Sequence, residues 1–474
     1  MVSGEFGYKR EVYMKKKKKE KRVLVGIFIF LLLPMSIPLF WLVSKKWEGE
    51  IPRFEFQDQI DNIGVSTIVT GKATDQKTGL KRILISLSKD GNEITLYDES
   101  YPSTGFLRGS AVHNKIIRIQ IQPQRIGVSD GEAILKVRIW DYSWRGRDGN
   151  CLKLNKRVTI DTCPPEIQIL TRAHNINQGG TCLAIYRLFE PVAESGVLVE
   201  EKLFRGYSGY FSDHDIYLAF FALPYNKGSG TRILLTATDL AGNRSVASIP
   251  FHINSKRFHK DMINITDDFL RCKMPEFEGQ VESSESLIDT FLRVNRDLRR
   301  SDMETISNVC QTSASTMLWK GRFLRMKGSE QKAGFADYRT YRYKGHIVDH
   351  QVHLGIDLAS LVHSPVQAAN TGRIIFTGRL GIYGNTVIID HGFGLFSMYA
   401  HLSRLRVKTG QTVERGDIIG NTGSTGLAGG DHLHFGMIVQ GTFVNPREWW
   451  DPLWVKHNVT EKIDSVLLSI GEER

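Results

Sequence analysis

The chain has 474 residues, which is enough for three or four domains of ordinary size. Hydrophobic residues make up 41% of the sequence and charged residues 24%, and this balance excludes an intrinsically disordered chain. The formal net charge is +11, and much of the excess lies in a basic run at residues 9–22. Its 44 glycines against 14 prolines, with many Val, Ile and Thr residues, favour abundant strands and turns.

An uncharged stretch rich in Leu, Ile and Phe, residues 23–43, follows a basic tail at residues 1–22. At about 1.5 Å per residue, a helix of this length spans a hydrocarbon core of roughly 30 Å. The basic flank on the N-terminal side predicts that the N-terminus lies in the cytoplasm. Because no small-x-small cleavage site follows, we expect a retained membrane anchor and not a signal peptide. This anchor also argues against nucleic acid as the partner of the basic run.

Residues 51–165 have the pattern of short strands separated by turns. Residues 79–88 and 133–140 partly alternate apolar and polar side chains, as half-buried strands do. Asp90-Gly91 is typical of a hairpin turn.

A weak repeat follows in which a strand ends in Asp and a polar turn precedes a second strand, at residues 137–143 and again at 235–245. The turn at residues 238–243 and the junction at 161–165 resemble those of tandem immunoglobulin-like modules in bacterial surface proteins. This resemblance implies two β-sandwich modules, residues 51–165 and 166–254. A spacer is the simplest role for them, while a substrate-binding arm or an inhibitory cover stays open.

Residues 255–320 change character, because apolar residues from Leu287 to Leu298 recur at helical spacing and predict a helical connector. Strand-like segments and glycine turns return over residues 321–450, and residues 451–474 are interpreted as a short C-terminal tail. The five cysteines are scattered without metal-site spacing, and their odd number leaves at least one unpaired within the chain.

Four elements between residues 353 and 434 could carry chemistry. In chain order they are His353-Leu-Gly-Ile-Asp357, Tyr399-Ala-His401-Leu402, a glycine-rich loop at 420–430, and His432-Leu-His434-Phe435. Residues two or four apart on a strand face the same side, so His432 and His434 project together. Two imidazoles and a carboxylate suit Zn²⁺ and leave its fourth position to water. Spacing alone leaves open which histidine of the last pair would bind the metal.

These elements belong to longer matching stretches, which are His353–Ala359, Pro365–Ala369, Tyr383–Gly392, Tyr399–Leu402, Val413–Gly420, His432–Phe435 and Val444–Pro446. Over roughly residues 318–450, the sequence resembles the catalytic domain of the lysostaphin/LytM-type zinc endopeptidases. The resemblance implies a mainly antiparallel β domain with a long open groove, here assigned to residues 321–450. The whole chain is therefore expected to be mainly β.

The resemblance also implies a role for each matching position. The implied ligands of one zinc ion per catalytic domain are His353, Asp357 and His434, the implied catalytic residues are His401 and His432, and the implied substrate-binding positions are Tyr399, Asn385 and Gly426. One catalytic histidine would assist proton transfer and the other would stabilise the developing oxyanion.

The sequence departs from the family pattern at three positions. His363 and Ala336 stand where the family usually has glycine, and Asp431 stands where it often has proline. His391 is interpreted as structural, and His346 and His350 as surface residues.

The implied activity is hydrolysis of peptide cross-links in peptidoglycan, acting on stem peptides and cross-bridges during wall remodelling or division. The expected location is the bacterial inner membrane, with a single pass and the catalytic domain in the periplasm. Cell-wall or division proteins are candidate partners. The alternative is a catalytically silent scaffold or activator of other wall hydrolases, but all five ligand and catalytic positions are kept, which favours an enzyme. The sequence leaves open which bond is cut and whether the upstream modules inhibit the site.

Overall fold

The computed structural model describes residues 46–105, 109–282 and 284–472, with the isolated positions 17, 18, 21, 36, 40, 41, 43 and 44. The predicted basic tail and membrane anchor, residues 1–22 and 23–43, lie outside the described residues apart from those positions. Of the helices described, none is both long and apolar enough to cross a membrane.

The prediction of a mainly β chain is confirmed, since 45% of the described residues lie in strands and 17% in helices. The chain divides into two compact units. Unit 1 comprises residues 1–163 and 241–243, and unit 2 comprises residues 164–240 and 244–474. The five cysteines, all among the described residues, are free thiols.

Unit 1 is built from two antiparallel-rich sheets around one apolar core. Its strands are β1 Arg53–Phe56, β2 Asn62–Ile63, β3 Thr67–Thr74, β4 Leu80–Lys89, β5 Asn92–Ser100, β6 Asn114–Ile121, β7 Gly131–Asp141 and β8 Cys151–Ile160, with a 3-10 turn at Pro123–Ile126. One sheet has the order β1-β3-β6 and the other β2-β8-β7-β4-β5. The alternation in β7 buries Leu135, Val137 and Ile139, and the β4–β5 hairpin turns at Asp90-Gly91, where both φ angles are positive. The immunoglobulin-like identity of this module stays a prediction.

The first part of unit 2 contains ten strands in the described chain. They are β9 Ile167–Ile169, β10 His174–Asn177, β11 Thr181–Leu188, β12 Val192–Val199, β13 Lys202–Arg205, β14 Tyr207–Ser208, β15 Ile216–Ala222, β16 Ile233–Asp239, β17 Arg244–Ser248 and β18 Phe251–Asn254. Two four-stranded sheets have the orders β14-β15-β11-β9 and β13-β12-β16-β17, and β10 pairs with β18 in parallel.

The connector, predicted as helical, contains a strand as well as helices. Its elements are β19 Lys260–Ile265, α1 Asp267–Lys273, α2 Leu287–Arg293 and α3 Arg299–Val309, with a 3-10 turn at Met274–Phe277 and a π-helical turn at Val294–Leu298. Thr266 and Ser286 cap the first two helices, their side chains accepting bonds from backbone N–H groups. The strand β19 pairs in parallel with residues 338–343, which ties the connector to the C-terminal region.

The C-terminal region is dominated by one antiparallel sheet. Its strands are β20 Glu330–Ala333, β21 Asp337–Tyr343, β22 His346–His353, β23 Ile356–Ala359, β24 Pro365–Gln367, β25 Gly372–Leu380, β26 Gly384–Asp390, β27 Leu395–Leu402, β28 Arg404–Leu405, β29 Thr412–Val413, β30 Ile418–Asn421, β31 Leu433–Val439 and β32 Thr442–Val444, with a 3-10 turn at Gly381–Tyr383. The main sheet has the order β20-β23-β31-β27-β26-β25-β29, and β32 pairs with β31. Two three-stranded sheets, β19-β21-β22 and β24-β30-β28, complete the region.

The segment predicted as a C-terminal tail is helical. The last elements are α4 Pro446–Trp450, α5 Pro452–Val455 and α6 Glu461–Ile470, with a π-helical turn at Lys456–Thr460. Ile463 and Val466 are buried because they recur on one face of α6. Lys462 Nζ donates to the carbonyl oxygen of Leu183, so the helix packs against β11.

Glu448 on α4 joins the C-terminal region to the preceding strands of unit 2. Its carboxylate accepts bonds from Asn177 Nδ2 at 2.7 Å and from the Thr181 N–H at 2.8 Å. The side chain is buried, and burial raises the pKa of Glu448 to about 7.

We expect Glu448 to make stability depend on pH. Its ordinary pKa is 4.5, so between that value and about 7 the folded protein keeps a proton that the unfolded chain has lost. The stabilisation is therefore full below about pH 4.5 and is lost as the pH rises through about 7, to a total of up to roughly 3 kcal/mol. Glu448→Gln should remove this slope from the free energy of unfolding, measured by urea denaturation at pH 5 and pH 8.

The control for this measurement is Glu304→Gln, at an exposed position on α3. It should keep the wild-type slope. An unchanged slope in Glu448→Gln would contradict the prediction.

Candidate functional site

Three ligand-type side chains converge where β22, β23 and β31 meet. In the antiparallel β23–β31 pair, Asp357 lies opposite His434, and His353 ends β22 just before β23. Asp357 Oδ1 lies 2.9 Å from His353 Nε2 and 3.0 Å from His434 Nδ1. The two ring nitrogens are 3.0 Å apart, and all three side chains are buried.

Hydrogen bonds outside this triangle orient its members. His353 Nδ1 lies 2.7 Å from the carbonyl oxygen of Gly334, and because a carbonyl only accepts, Nδ1 carries the proton. Arg339 on β21 donates from Nη2 to Asp357 Oδ2 at 2.9 Å. His353 Nε2 and Asp357 Oδ1 are therefore left facing the centre of the triangle.

This donor set fits a metal ion. With the proton of neutral His353 on Nδ1, its Nε2 is an acceptor that faces another acceptor, Asp357 Oδ1, at 2.9 Å. Lone pairs that converge in this way repel unless a cation or an additional proton lies between them. Two imidazole nitrogens and one carboxylate oxygen are a donor set that zinc accepts, with a position left open.

His401 and His432 flank the triangle, and a hydrogen bond from Nδ1 to a backbone carbonyl orients each ring. His401 Nδ1 donates to the carbonyl oxygen of Thr425 at 2.8 Å, and His432 Nδ1 donates to that of Gly430 at 2.8 Å. Their ring centroids are 4.8 Å apart, and His432 Nε2 lies 3.6 Å from Asp357 Oδ1. Both carbonyls belong to the glycine-rich loop, so this loop sets the ring orientations by engaging Nδ1 of each histidine.

The surroundings move the pKa values of these groups in different directions. Burial, together with the nearby His432 and His434, lowers the pKa of His401 well below its ordinary value. Burial also lowers the pKa of His434 to about 4. For His432 burial acts in the same direction, but the hydrogen bond and charge of Asp357 outweigh it and raise the pKa.

The five residues open into a cavity of about 470 Å³. Its other walls are formed by Tyr383, by residues 427–429 of the glycine-rich loop and by the connector, which contributes residues 263–266, Phe269, Phe291 and Arg299. The connector is therefore a structural part of the cavity.

The connector also holds the glycine-rich loop. Lys273 Nζ donates to the carbonyl oxygen of Ser424, and the Gly426 N–H donates to Glu276 Oε2 at 3.0 Å. Arg379 Nη2 completes this contact at 3.2 Å from the same Glu276 oxygen. The loop that orients His401 and His432 thus depends on residues far upstream in the sequence.

The three predicted substrate-binding positions lie outside the set of residues that line this cavity. Tyr399 is buried, and its hydroxyl accepts a bond from the Ala369 N–H at 2.7 Å. Asn385 donates from Nδ2 to the carbonyl oxygen of Leu402, and the N–H of Gly426 is taken by Glu276. These placements support roles in the frame of the site and do not support contact with substrate.

Two departures from the family's glycines have a visible backbone consequence. Ala336 has a φ of 61° and His363 a φ of 55°, both in the left-handed region that glycine adopts without steric cost. Asp431 accepts bonds from Thr422 Oγ1 at 2.6 Å and from the His363 N–H at 3.2 Å. This carboxylate thereby ties the loop of His363 to the segment just before His432.

The remaining predicted histidines lie apart from the site. His391 is buried, with Nδ1 bonded to the carbonyl oxygen of Thr371 and Nε2 bonded to Ser397 Oγ, each at 2.7 Å. His346 and His350 are exposed on β22.

Sequence reasoning missed Arg339 and Tyr383. Tyr383 is buried with its ring centroid 5.4 Å from that of His434. It lies inside a stretch that carried the family resemblance, so its place near the site was open to prediction. The proximity of Arg339 to Asp357 depends on the pairing of β21 with β22, where Asp337 lies opposite His353.

Three metal-ligand side chains, two oriented histidines and a cavity meet on an antiparallel sheet. Residues 351–446 match the family described as Peptidase family M23, and the C-terminal part of this chain is a domain of that family. The resemblance noted from the sequence is confirmed.

Curated relatives share this part of the chain. The DD-carboxypeptidase/endopeptidase Mpg of Neisseria meningitidis serogroup B is 43% identical over 131 residues, which cover 27% of this chain and 30% of the relative. The peptidoglycan DD-endopeptidase ShyA of Vibrio cholerae is 42% identical over 93 residues, covering 20% of this chain and 22% of the relative. The chain thus matches less than a third of the length of either relative.

Similar solved structures include a putative peptidase M23 from Pseudomonas aeruginosa. It has 22% identity and a TM-score of 0.36, and the match covers 58% of this chain and 94% of that one. The catalytic domain of lysostaphin from Staphylococcus simulans has 29% identity and a TM-score of 0.23, with coverage of 26% and 92%.

We expect Arg339→Gln to weaken zinc binding by about tenfold or more, because Asp357 would lose the group that fixes its orientation. Competition with a chromophoric chelator measures the zinc dissociation constant. Arg342→Gln is a matched control on the same strand, since Arg342 bonds to Asn264 in the cavity wall and to none of the three ligand side chains. Equal zinc affinity in both variants would show that Asp357 does not need Arg339.

Proposed function

We propose that this chain is a zinc-dependent endopeptidase that hydrolyses peptide cross-links in peptidoglycan. The observation that carries the proposal is the convergence of His353, Asp357 and His434 beside His401 and His432 at one cavity. The M23 domain and the relatives named as peptidoglycan endopeptidases support the substrate class.

The site residues divide into three metal ligands and two histidines that act on the substrate. His353, Asp357 and His434 would hold the zinc ion, and such an ion activates water and polarises a peptide carbonyl. His401 and His432 each keep Nδ1 bonded to a backbone carbonyl, so each presents Nε2 to the substrate. One Nε2 moves a proton between the attacking water and the leaving amine, and the other stabilises negative charge on the carbonyl oxygen.

Arg299 contributes a positive charge to the wall of the cavity, where the charge of Arg339 is paired with that of Asp357. Peptidoglycan stem peptides carry free carboxylates, and guanidinium groups bind carboxylates with good geometry.

The proposed location is the outer side of the cytoplasmic membrane, with residues 23–43 as a single anchor. Support comes from the charge-free apolar stretch and from the basic residues on its N-terminal side. Wall and division proteins are the partners that this location would make available.

The first test is digestion of purified peptidoglycan, with the zinc content determined on the same sample. We expect new peptide fragments and one zinc per chain from the wild type, and loss of both in His434→Ala. His346→Ala is the matched control, because that histidine is exposed and outside the site. Bound zinc without any cleavage would favour the alternative of a silent scaffold or activator.

A second test separates the reacting histidines from the metal ligands. His401→Ala and His432→Ala should each keep about one zinc per chain and lower the cleavage rate by roughly 10²-fold to 10⁴-fold, because general acid–base catalysis contributes in that range. Mass spectrometry of the zinc-bound protein and initial rates of fragment release are the measurements. Loss of zinc from His432→Ala would reverse the assignment within the His432–His434 pair.

A further inference from the structure

Unit 1 contains three carboxylates that lie together. Glu48 precedes β1, Asp75 directly follows β3, and Asp141 is the last residue of β7. Their exposed fractions are 3%, 4% and 0%, and one ligand oxygen from each lies within 4.8 Å of the others. We call this group the carboxylate cluster. Like charges held this close and shielded from water repel strongly, so they need compensation.

Neutral hydrogen-bond donors orient the cluster without removing its charge. Asp141 Oδ1 accepts bonds from the N–H groups of Ser143 and Asn150, at 3.0 and 2.7 Å, and Asp141 Oδ2 accepts one from Asn150 Nδ2 at 2.9 Å. The Thr78 N–H and hydroxyl donate to Glu48 Oε1, and the Gly79 N–H donates to Asp75 Oδ2. The carboxylates are therefore held in fixed orientations.

Positive charges beside the cluster compensate part of its negative charge. Lys46 is buried, and its Nζ donates to the carbonyl oxygen of Tyr142 at 3.3 Å. Burial lowers the pKa of Lys46, while the charges of Glu48 and Asp141 act to raise it. Lys77 and His113 also act on the cluster, since their charges oppose the rise in the pKa of Glu48 and of Asp75 respectively.

Glu48 Oε2 is buried and has no hydrogen-bond partner within the part of the chain that the structure describes. The other oxygen of the same carboxylate has two donors. A desolvated carboxylate oxygen is costly unless it meets a donor or a cation. Burial and the charges of Asp75 and Asp141 raise the pKa of Glu48, because both make its ionised form less favourable.

We propose that the carboxylate cluster binds a Ca²⁺ ion. The donors are all oxygens, which favours a hard cation over zinc. Calcium accepts about six to eight oxygen ligands in irregular arrangements. Magnesium requires octahedral coordination with short metal–oxygen distances and usually keeps several of its water ligands. The two positive charges of the ion would offset the repulsion among the carboxylates, and the ion would give Glu48 Oε2 a partner.

The ion would fasten the start of the described chain to unit 1. The segment that carries Glu48 is already held to the β7–β8 loop, since the Trp144 N–H donates to the carbonyl oxygen of Lys46 at 2.7 Å. Asn150 Nδ2 donates to the carbonyl oxygen of Glu50 at 3.0 Å. Calcium would add a link from this segment to the ends of β3 and β7. It would thereby stiffen the exit from the proposed membrane anchor.

The test uses the full chain in detergent, saturated with zinc so that the catalytic region is filled, and titrated with Ca²⁺ by calorimetry. We expect one Ca²⁺ per chain with a dissociation constant of about 10⁻⁴ to 10⁻³ M, as in extracellular modules. Glu48→Gln should weaken binding at least tenfold. Glu132→Gln, at an exposed position on the same strand as Asp141, should bind as the wild type does. Magnesium at the same concentrations should bind more weakly.

Absence of calcium binding to the wild type would overturn the proposal without recourse to any variant. Equal affinity in wild type and Glu48→Gln would also overturn it. If Glu48→Gln does not fold, Asp75→Asn takes its place. If the cluster takes up a proton instead of a cation, the melting temperature of the wild type should rise at acidic pH and should not respond to calcium. This result would also contradict the proposal.

Discussion

The buried carboxylate of Asp357 is the constraint on which the catalytic region depends. Taking a carboxylate out of water costs several kcal/mol, so the fold must surround it with compensating groups. Arg339 takes one oxygen, and His353 and His434 converge on the other. These contacts fix strands β21, β22, β23 and β31 relative to one another. Because it is buried, the remaining oxygen of Asp357 is favourably placed for a cation.

The site is composite, although the family match covers only residues 351–446. The matched segment supplies the ligands and both flanking histidines. The connector supplies a wall of the cavity and, through Lys273 and Glu276, restrains the glycine-rich loop. The orientation of His401 and His432 is therefore set by residues that precede the matched segment. Truncation to the matched segment would remove these restraints along with one wall.

Buried carboxylates occur in two ligand-type clusters of this chain. Asp357 stands among imidazoles, which makes a mixed nitrogen and oxygen set suited to zinc. Glu48, Asp75 and Asp141 stand among carboxylates and backbone groups, which makes an oxygen set suited to calcium. In both places a positively charged side chain offsets part of the buried negative charge, Arg339 in one and Lys46 in the other. The donor atoms determine which metal ion each cluster would suit.

The sequence by itself predicted strands at residues 79–88 and 133–140, the hairpin at Asp90-Gly91 and, through the family resemblance, the set of five histidine and aspartate positions. Alternation, turn residues and motif spacing are properties of neighbouring residues, which the linear chain displays directly. Only the tertiary structure decided that Tyr399 is buried, that the connector walls the cavity, that residues 461–470 pack as a helix, and that Arg339 reaches Asp357. Those facts depend on strand register and on which faces are covered, and residues far apart in the chain set both.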